Sequence, residues 1–326
     1  MIVNSPRQLL SALPHLIGFH PDNSIVTVAL DDDEILTIAR IDFSPEPIQI
    51  PNSMLATLRQ CKKPAVVLVA YCESEITLDQ LTELVPQSQE FQVLDALWVR
   101  HRRWSSLMCN DSECCPELGI ELSEVTATEL EFVLAGSAPF ASREDLANRL
   151  ESVDLLTKDV SLRDDAVNRV SQEFSAQEQK HQSKLAGRVE FLDRLVQLWS
   201  HNATWDWDAY GLLTVVVSDI QMRDGLLRQM LDQTNLRLAI RTTLMTAVSQ
   251  AAEEHVAPLA TALAGCAWLD GNGALATVAL ERALSTDPSY SLARLLERAI
   301  AHNVPPSVWT ESLEAVSYEE CLAGAA

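Results

Sequence analysis

The stretch Ala65-Val66-Val67-Leu68-Val69-Ala70 decides how the first part of this chain folds. Six consecutive apolar residues, three of them valines, are typical of a strand that helices cover on both faces. Outward from this stretch, the sequence predicts a helix at 77–86 and a second strand from Phe91 to Val99. A strand, a helix and a strand in this order predict a right-handed crossover and a parallel strand pair.

A hairpin is predicted upstream of this unit, with one strand at Ile25–Leu30 and a returning strand at Ile35–Phe43. Ser5 followed by Pro6 predicts the start of a helix, because serine caps well and proline suits the first helical position. Further helices are predicted at 53–61, 126–135 and 142–150. The first part is therefore predicted to be an α/β domain with a mixed, partly parallel sheet.

The distribution of proline predicts a different second part. Ten of the 14 prolines lie at or before position 139, and none lies between 140 and 257. Helix interiors exclude proline, whereas loops and strand ends tolerate it. Apolar residues from about 163 onward recur at three- and four-residue steps, which indicates helices. We expect an α/β domain at 1–155 and an all-α helical domain at 156–326. Its helices are predicted at 208–217, 223–232, 236–250, 255–269, 274–286 and 289–302, and the final residues of the tail are expected to fray.

One stretch of the helical part has the spacing of the second helix of a tetratricopeptide hairpin. Its glycine, alanine and Asp-Pro positions are Gly271-Asn272, Ala276, Ala279, Ala283-Leu284 and Asp287-Pro288. A solenoid of such hairpins needs about three copies to be stable, and the sequence contains one. The pattern therefore predicts a single tetratricopeptide-like hairpin inside a larger helical domain.

The charge and the cysteine content exclude several classes of function. The net charge of −22 opposes binding to nucleic acid, which depends on Lys and Arg contacts to phosphate, and it opposes binding to an anionic membrane surface. We find no stretch long and apolar enough for a membrane span and no signal-peptide order at the start. We therefore expect a cytoplasmic protein whose seven cysteines are reduced.

Short catalytic motifs are absent from the sequence. It contains no G-x-x-x-x-G-K-[ST] loop, no G-x-G-x-x-G, no H-E-x-x-H and no G-x-S-x-G. Enzymes that are recognised by such motifs are therefore disfavoured, while enzymes whose residues converge from distant positions stay open.

Four groups of residues together resemble an uncharacterised actinobacterial family, domain-of-unknown-function family 4192. The resemblance runs from about residue 5 to residue 309 and implies an actinobacterial source and a cytoplasmic location. It implies no activity. The residues that carry it are Ser5-Pro6, Leu9-Leu10, Pro14-His15-Leu16-Ile17-Gly18-Phe19, Pro21 and Ser24; Arg103-Trp104-Ser105, Cys109 and Cys114-Cys115-Pro116; Arg223-Asp224; and Trp268, Gly271-Asn272-Gly273-Ala274-Leu275-Ala276, Glu281-Arg282-Ala283-Leu284, Asp287-Pro288 and Leu292-Ala293.

The cysteine loop is the most distinctive local motif. Cys109, Cys114 and Cys115 place three thiols within seven residues. Thiolates bind Zn²⁺, and His101 or Cys72 could supply a fourth ligand, although adjacent cysteines rarely bind one ion. Cys109 could instead form a reversible disulfide with either neighbour, as in a thiol switch. The third interpretation is a tight structural loop with half-buried thiols.

A second candidate site follows the strand that ends at Val99. Ligands bind outside the carboxyl ends of strands in open α/β sheets, so the cluster there is a candidate for a phosphate- or carboxylate-bearing ligand. The alternative is a surface hairpin whose arginines pair with carboxylates. The candidate residues are Arg100, Arg102, Arg103 and Trp104, with Cys72 and Glu73 after the preceding strand and His20 in an earlier loop.

These observations favour a non-enzymatic binding or scaffold protein that holds a protein partner. The alternatives are an enzyme or sensor of a small anionic metabolite in the α/β crevice, and a thiol-redox or zinc site at the cysteine loop. Apart from that zinc ion, we expect no cofactor.

Overall fold

The chain divides into two compact units in the computed structural model. They are Met1–Arg143 and Glu144–Ala326. None of the helices described has the length and apolar character needed to cross a membrane. The structure describes residues 2, 5–43, 52–76, 79, 81, 91–122, 126–134, 137–181, 184–201, 203–302 and 304–324.

Helix α1 (Pro6–Ile17) opens the first unit and confirms the predicted start. The Ser5 hydroxyl accepts a hydrogen bond from the backbone N–H of Gln8, and Pro6 occupies the first turn. Gly18 ends the helix in the left-handed conformation, with φ 94°. The helix buries Leu9, Leu10 and Leu13, which the sequence predicts as its apolar face.

The described residues of the first unit form a mixed sheet of six strands in the order β2-β1-β3-β4-β5-β6. The β3–β4 pair is parallel, and all the other neighbouring strands are antiparallel. The strands are β1 (Ser24–Asp31), β2 (Glu34–Asp42), β3 (Pro64–Tyr71), β4 (Gln92–Arg100), β5 (Arg103–Ser106) and β6 (Ile120–Glu121).

The central strand β3 is buried along most of its length, as its apolar run predicts. It lies between β1 and β4, and the predicted hairpin and parallel pair are both confirmed. The predicted helix at 77–86 lies outside the described residues, except for Asp79 and Leu81. Strands β5 and β6 extend the sheet beyond β4. The antiparallel pair of β4 and β5 agrees with the alternative of a hairpin after Val99, whereas β6 is not predicted from the sequence.

Three further helices confirm predictions at their approximate positions. They are α2 (Asn52–Leu58), α3 (Ala127–Leu134) and α4 (Arg143–Asn148), which begins at the last residue of the first unit. Met54 and Leu58 of α2 are buried in one cluster with β-strand residues such as Leu68 and Trp98. This cluster forms a hydrophobic core against the central strands.

The second unit is helical throughout its described part, as the sequence predicts. A single-turn 3₁₀ helix, Thr234–Leu236, precedes α9. The α-helices are α5 (Thr157–His181), α6 (Lys184–Ser200), α7 (Trp207–Ser218), α8 (Ile220–Asp232), α9 (Arg237–Gln250), α10 (Glu253–Leu269), α11 (Gly273–Thr286), α12 (Ser291–Ala301), α13 (Pro306–Glu314) and α14 (Tyr318–Ala323).

The expectation that the final residues fray finds no support up to Gly324, the last residue described. Helix α14 begins with a capping box between Ser317 and Glu320, and its residue Leu322 is fully buried. The buried guanidinium of Arg188 in α6 donates a hydrogen bond of 2.9 Å to the Leu322 carbonyl. A sequence this short gives little helical periodicity, so its order depends on tertiary contacts that the pattern does not reveal.

Helices α10 and α11 form a close pair joined by the three residues between them. Asn272 caps α11 by accepting the N–H of Leu275 at 3.0 Å. Helix α11 buries the three predicted alanines, Ala276, Ala279 and Ala283. Every residue of α10 from Val256 to Trp268 is also buried, so this helix is part of the core of the second unit.

Candidate functional site

The parallel pairing of β3 and β4 places two predicted site segments at one edge of the sheet. Tyr71 at the end of β3 pairs with Val99 near the end of β4. The indole N–H of Trp98 donates a hydrogen bond of 2.9 Å to the carbonyl of Cys72. The Glu73 carboxylate lies 2.8 Å from Nδ1 of His101. The sheet therefore brings Cys72 and Glu73 beside the end of β4.

The turn between β4 and β5 has an unusual backbone for its sequence. His101 and Arg102 both have positive φ, at 48° and 59°. A two-residue hairpin turn in which both residues have positive φ usually contains glycine, because a residue with a Cβ is strained in this left-handed region. The turn exposes Arg102, and Arg100 stacks its guanidinium on the ring of Trp98 at 4.1 Å.

Two members of the predicted anion site support a loop. The guanidinium of Arg103 donates hydrogen bonds to the carbonyls of Leu118 and Gly119, at 2.8 and 2.9 Å. Trp104 is buried in β5. Both residues hold the loop that leads to β6. An anion site at this edge stays a prediction that rests on Arg100 and Arg102.

His20 lies in the loop before β1, whose first residue pairs with the last residue of β3. Its side chain is exposed, while its backbone N–H donates to the carbonyl of Phe140 at 2.9 Å. Next to it, Phe19 is buried in the core. The described contacts of this loop are therefore those of a connection between α1 and the sheet.

The three cysteines of the loop converge. The sulfur atoms of Cys109, Cys114 and Cys115 all lie within 4.8 Å of one another. The carbonyl of Asp111 accepts the N–H of Cys115 at 2.7 Å, and its carboxylate accepts the N–H of Glu113 at 2.9 Å. These bonds fold residues 111–115 into a tight turn, which directs the two adjacent cysteines toward Cys109.

The thiols of the loop differ in acidity. The pKa of Cys109 is lowered, chiefly by a hydrogen bond with the backbone of Asp111 and then by one with the Cys115 side chain. The pKa of Cys114 is raised to about 11, chiefly by its hydrogen bond with Cys109 and the nearby charge on that sulfur. Of these two thiols, Cys109 is therefore the one that loses its proton more readily.

The other cysteines do not join this cluster among the described residues. The pKa values of the Cys72 and Cys266 thiols are raised by burial, that of Cys266 to about 12. Cys72 donates its S–H to the carbonyl of Ser74. Its sulfur and the ring of His101 are therefore not members of the described ligand group, which consists of the three loop cysteines.

The loop lies in a strongly acidic part of the sequence. Residues 104–142, here called the acidic segment, contain no Lys, Arg or His. Their acidic residues are Asp111, Glu113, Glu117, Glu121, Glu124, Glu129 and Glu131. A cation near this segment is therefore attracted, and an anion is repelled.

Helix α3, within the acidic segment, exposes an apolar face. Its inner side packs against α1, where the ring of Phe132 stacks on His15 at 4.8 Å. Its outer side presents Leu130, Val133 and Leu134 at helical spacing, and these side chains are 49%, 53% and 79% exposed. Sequence reasoning missed this surface, because apolar residues occur on both sides of the helix and the pattern does not identify the buried one.

The second unit contains a small cavity and an open cleft, and its polar groups are largely paired. The cavity of about 90 Å³ is lined in part by Arg163, which forms an ion pair with Asp164. The cleft of about 630 Å³ includes Arg194, which pairs with Glu173. These guanidinium groups are partly neutralised and offer little to an anion.

Two polar pairs in the second unit are structural. Arg223 is buried, binds the carboxylate of Asp224 at 2.7 Å and donates a hydrogen bond to the Tyr290 hydroxyl. Asp206 caps α7 by accepting the N–H of Ala209. Neither pair forms a ligand site in the described structure.

Comparison with known proteins identifies a family and no activity. No curated protein and no solved structure matches this chain. A family model described as a domain of unknown function, DUF4192, matches residues 6–307. Because this match covers most of the 326 residues, the chain belongs to the DUF4192 family.

Proposed function

We propose that the protein is a cytoplasmic, non-enzymatic binding protein, and that α3 and the acidic segment around it dock a basic, amphipathic segment of a partner protein. The observation that carries this proposal is the apolar face of Leu130, Val133 and Leu134, which is exposed within an acidic segment. Exposed apolar groups rimmed by polar residues are typical of protein interaction sites.

The charge of the acidic segment selects the occupant. The acidic segment carries seven carboxylates and no basic side chain. A second copy of the chain would bring the same carboxylates, and like charges that face each other across an interface oppose association. A partner with leucines on one side of a helix and lysines or arginines beside them matches both the apolar and the acidic features.

The helical unit supports this proposal as a scaffold. We propose that α10 and α11 form a tetratricopeptide-like hairpin, since α11 buries the alanines of that pattern and Asn272 caps it. The burial of α10 from Val256 to Trp268 leaves it no open groove. The hairpin is therefore assigned to the core, and the docking surface to α3.

The test uses the full chain and a synthetic helical peptide with leucines at i, i+3 and i+4 and lysines elsewhere. A second peptide with glutamates in place of the lysines is the charge control. The double variant Val133→Ser, Leu134→Ser removes apolar surface without a change of charge. The variant Leu295→Ser removes a leucine of α12 that is 60% exposed, between the values for Val133 and Leu134.

We expect fluorescence anisotropy to show binding of the lysine peptide and weak binding of the glutamate peptide. Each buried leucine or valine contributes about 1.5–3 kcal/mol, so the double variant should bind at least tenfold more weakly. Leu295→Ser should bind as the unchanged chain does. Equal affinity of the double variant and the unchanged chain would contradict the proposal, as would a dimer of this chain that the double variant abolishes.

A further inference from the structure

We propose that Cys109, Cys114 and Cys115 form a binding site for a thiophilic metal ion of closed shell, Zn²⁺ in the first instance, with an open fourth position. The proposal is independent of the docking surface on α3. It starts from the convergence of three sulfur atoms within 4.8 Å of one another, at residues that are partly or fully exposed.

The distances between the three sulfur atoms suit Zn²⁺. Zinc binds thiolate sulfur at about 2.3 Å in a tetrahedron, which places neighbouring sulfurs about 3.8 Å apart. The three sulfurs now lie within 4.8 Å of one another. Side-chain rotations that move each sulfur by about an ångström would bring them to the separation that zinc requires. Three thiolates also select soft or borderline ions over Mg²⁺ and Ca²⁺, which prefer oxygen.

Hydrogen bonds within the chain hold the backbone of the loop. The Asp111 carbonyl fixes the turn by accepting the N–H of Cys115, and Arg103 fixes the end of the loop through the carbonyls of Leu118 and Gly119. This geometry overcomes the usual objection to adjacent cysteines, whose side chains diverge in extended chains. Here both sulfurs lie near that of Cys109.

The electrostatic surroundings favour a cation. Asp111 and Glu113 belong to the same turn, and no basic residue occurs from 104 to 142. Deprotonation of three neighbouring thiols beside these carboxylates is opposed by charge repulsion, and a bound divalent cation relieves that repulsion. Each coordinating sulfur loses its thiol proton to solvent, so each bound ion releases up to three protons.

The third sulfur distinguishes this site from a simple disulfide pair. A disulfide uses two sulfurs and needs an oxidant to accept two electrons, whereas the described cluster brings all three sulfurs together. Neither His101 nor Cys72 is among the described ligands. We therefore assign the fourth position to water or to an exogenous ligand.

The experiment uses the full chain, reduced and freed of metal by a chelator without oxygen. Zn²⁺ is titrated against a chromophoric chelator, and Co²⁺ is used to detect sulfur-to-metal charge-transfer bands. The test variants are Cys109→Ser, Cys114→Ser and Cys115→Ser. The control is Cys61→Ser, which removes a half-buried thiol whose described hydrogen bond is to the carbonyl of Thr57. Circular dichroism checks that each variant is folded.

We expect one Zn²⁺ per chain, Co²⁺ charge-transfer bands, and at least a tenfold loss of affinity in every loop variant. Cys61→Ser should bind as the unchanged chain does. The proposal is overturned if the reduced chain takes up no stoichiometric ion, or if the loop variants and Cys61→Ser bind equally. It is also overturned if air oxidation forms a Cys109 disulfide while the reduced chain binds no ion, which would assign the loop to redox chemistry.

Discussion

Substitution of two glycines separates backbone strain from steric contact in the cysteine loop. Gly119 and Gly271 have nearly the same φ, +71° and +73°. A Cβ at Gly119 would lie 2.9 Å from the carbonyl oxygen of Trp104, whereas a Cβ at Gly271 would meet nothing within 4 Å. Gly119→Ala therefore adds a clash to the strain that both variants share.

The size of the two effects follows from these contacts. An alanine in the left-handed region costs about 1–2 kcal/mol, and the stiffer unfolded chain offsets about 0.4–1 kcal/mol of that. Gly271→Ala should therefore lower the free energy of unfolding by about 1 kcal/mol. Trp104 pairs with Val99 and Ile120 in the sheet, so its carbonyl cannot easily move. Overpacking there adds about 1–3 kcal/mol to the cost of Gly119→Ala.

Because the chain has two compact units, hydrogen exchange with mass spectrometry is the suitable assay. It reports opening free energies for the amides of each unit separately. We expect Gly119→Ala to increase exchange in β5 and β6, and Gly271→Ala to have a smaller effect on α10 and α11. The reasoning is refuted if Gly119→Ala costs no more than Gly271→Ala.

Three further predictions concern stability. Leu68→Ala in the fully buried centre of β3 should cost about 2–5 kcal/mol in urea unfolding, and a loss below 1 kcal/mol would contradict its core position. Arg188→Met should lower the free energy of unfolding by about 3–5 kcal/mol, because the Asp219 carboxylate, 3.3 Å away in a largely buried site, loses this partner. A double variant that also carries Asp219→Asn should recover stability, which would verify the coupling. Burial lowers the pKa of His255 below its usual 6.5, so the neutral ring stabilises the fold fully above that pH and progressively less as the pH falls below it. The variant His255→Gln should therefore lose less stability between pH 7 and pH 5 than the unchanged chain, and identical pH profiles would exclude this role.

The parts of the fold that the sequence predicts are those with strong local patterns. The run at 65–70 predicts the central strand, because only a strand buried on both faces tolerates continuous apolar residues. Strand β6 was missed, since it has only two residues and its pairing depends on Trp104 and Arg103 of β5. Helix α14 was missed for the same reason: its order depends on contacts with residues far away in the chain.

The candidate sites were predicted by residue type but not by arrangement. The sequence identifies the cysteine loop as a candidate site. The convergence of its three sulfur atoms depends on the turn at Asp111, and the spacing of the cysteines does not predict that turn. Arg103 was one candidate for binding an anion, and in the structure its guanidinium donates to carbonyls of the chain itself. A positive cluster in sequence does not distinguish these uses, because backbone carbonyls and anions attract the same donors.

The bond between Arg188 and Leu322 has a consequence for synthesis of the protein on the ribosome. The two residues are 134 positions apart, and Leu322 also lies against Gly225, where an added Cβ would be 2.7 Å from its side chain. The second unit therefore cannot complete its core until residue 322 has been translated, whereas the first unit needs only the residues up to Arg143. A nascent chain that stalls between these points should carry a folded first unit and a second unit that exposes apolar helices to chaperones.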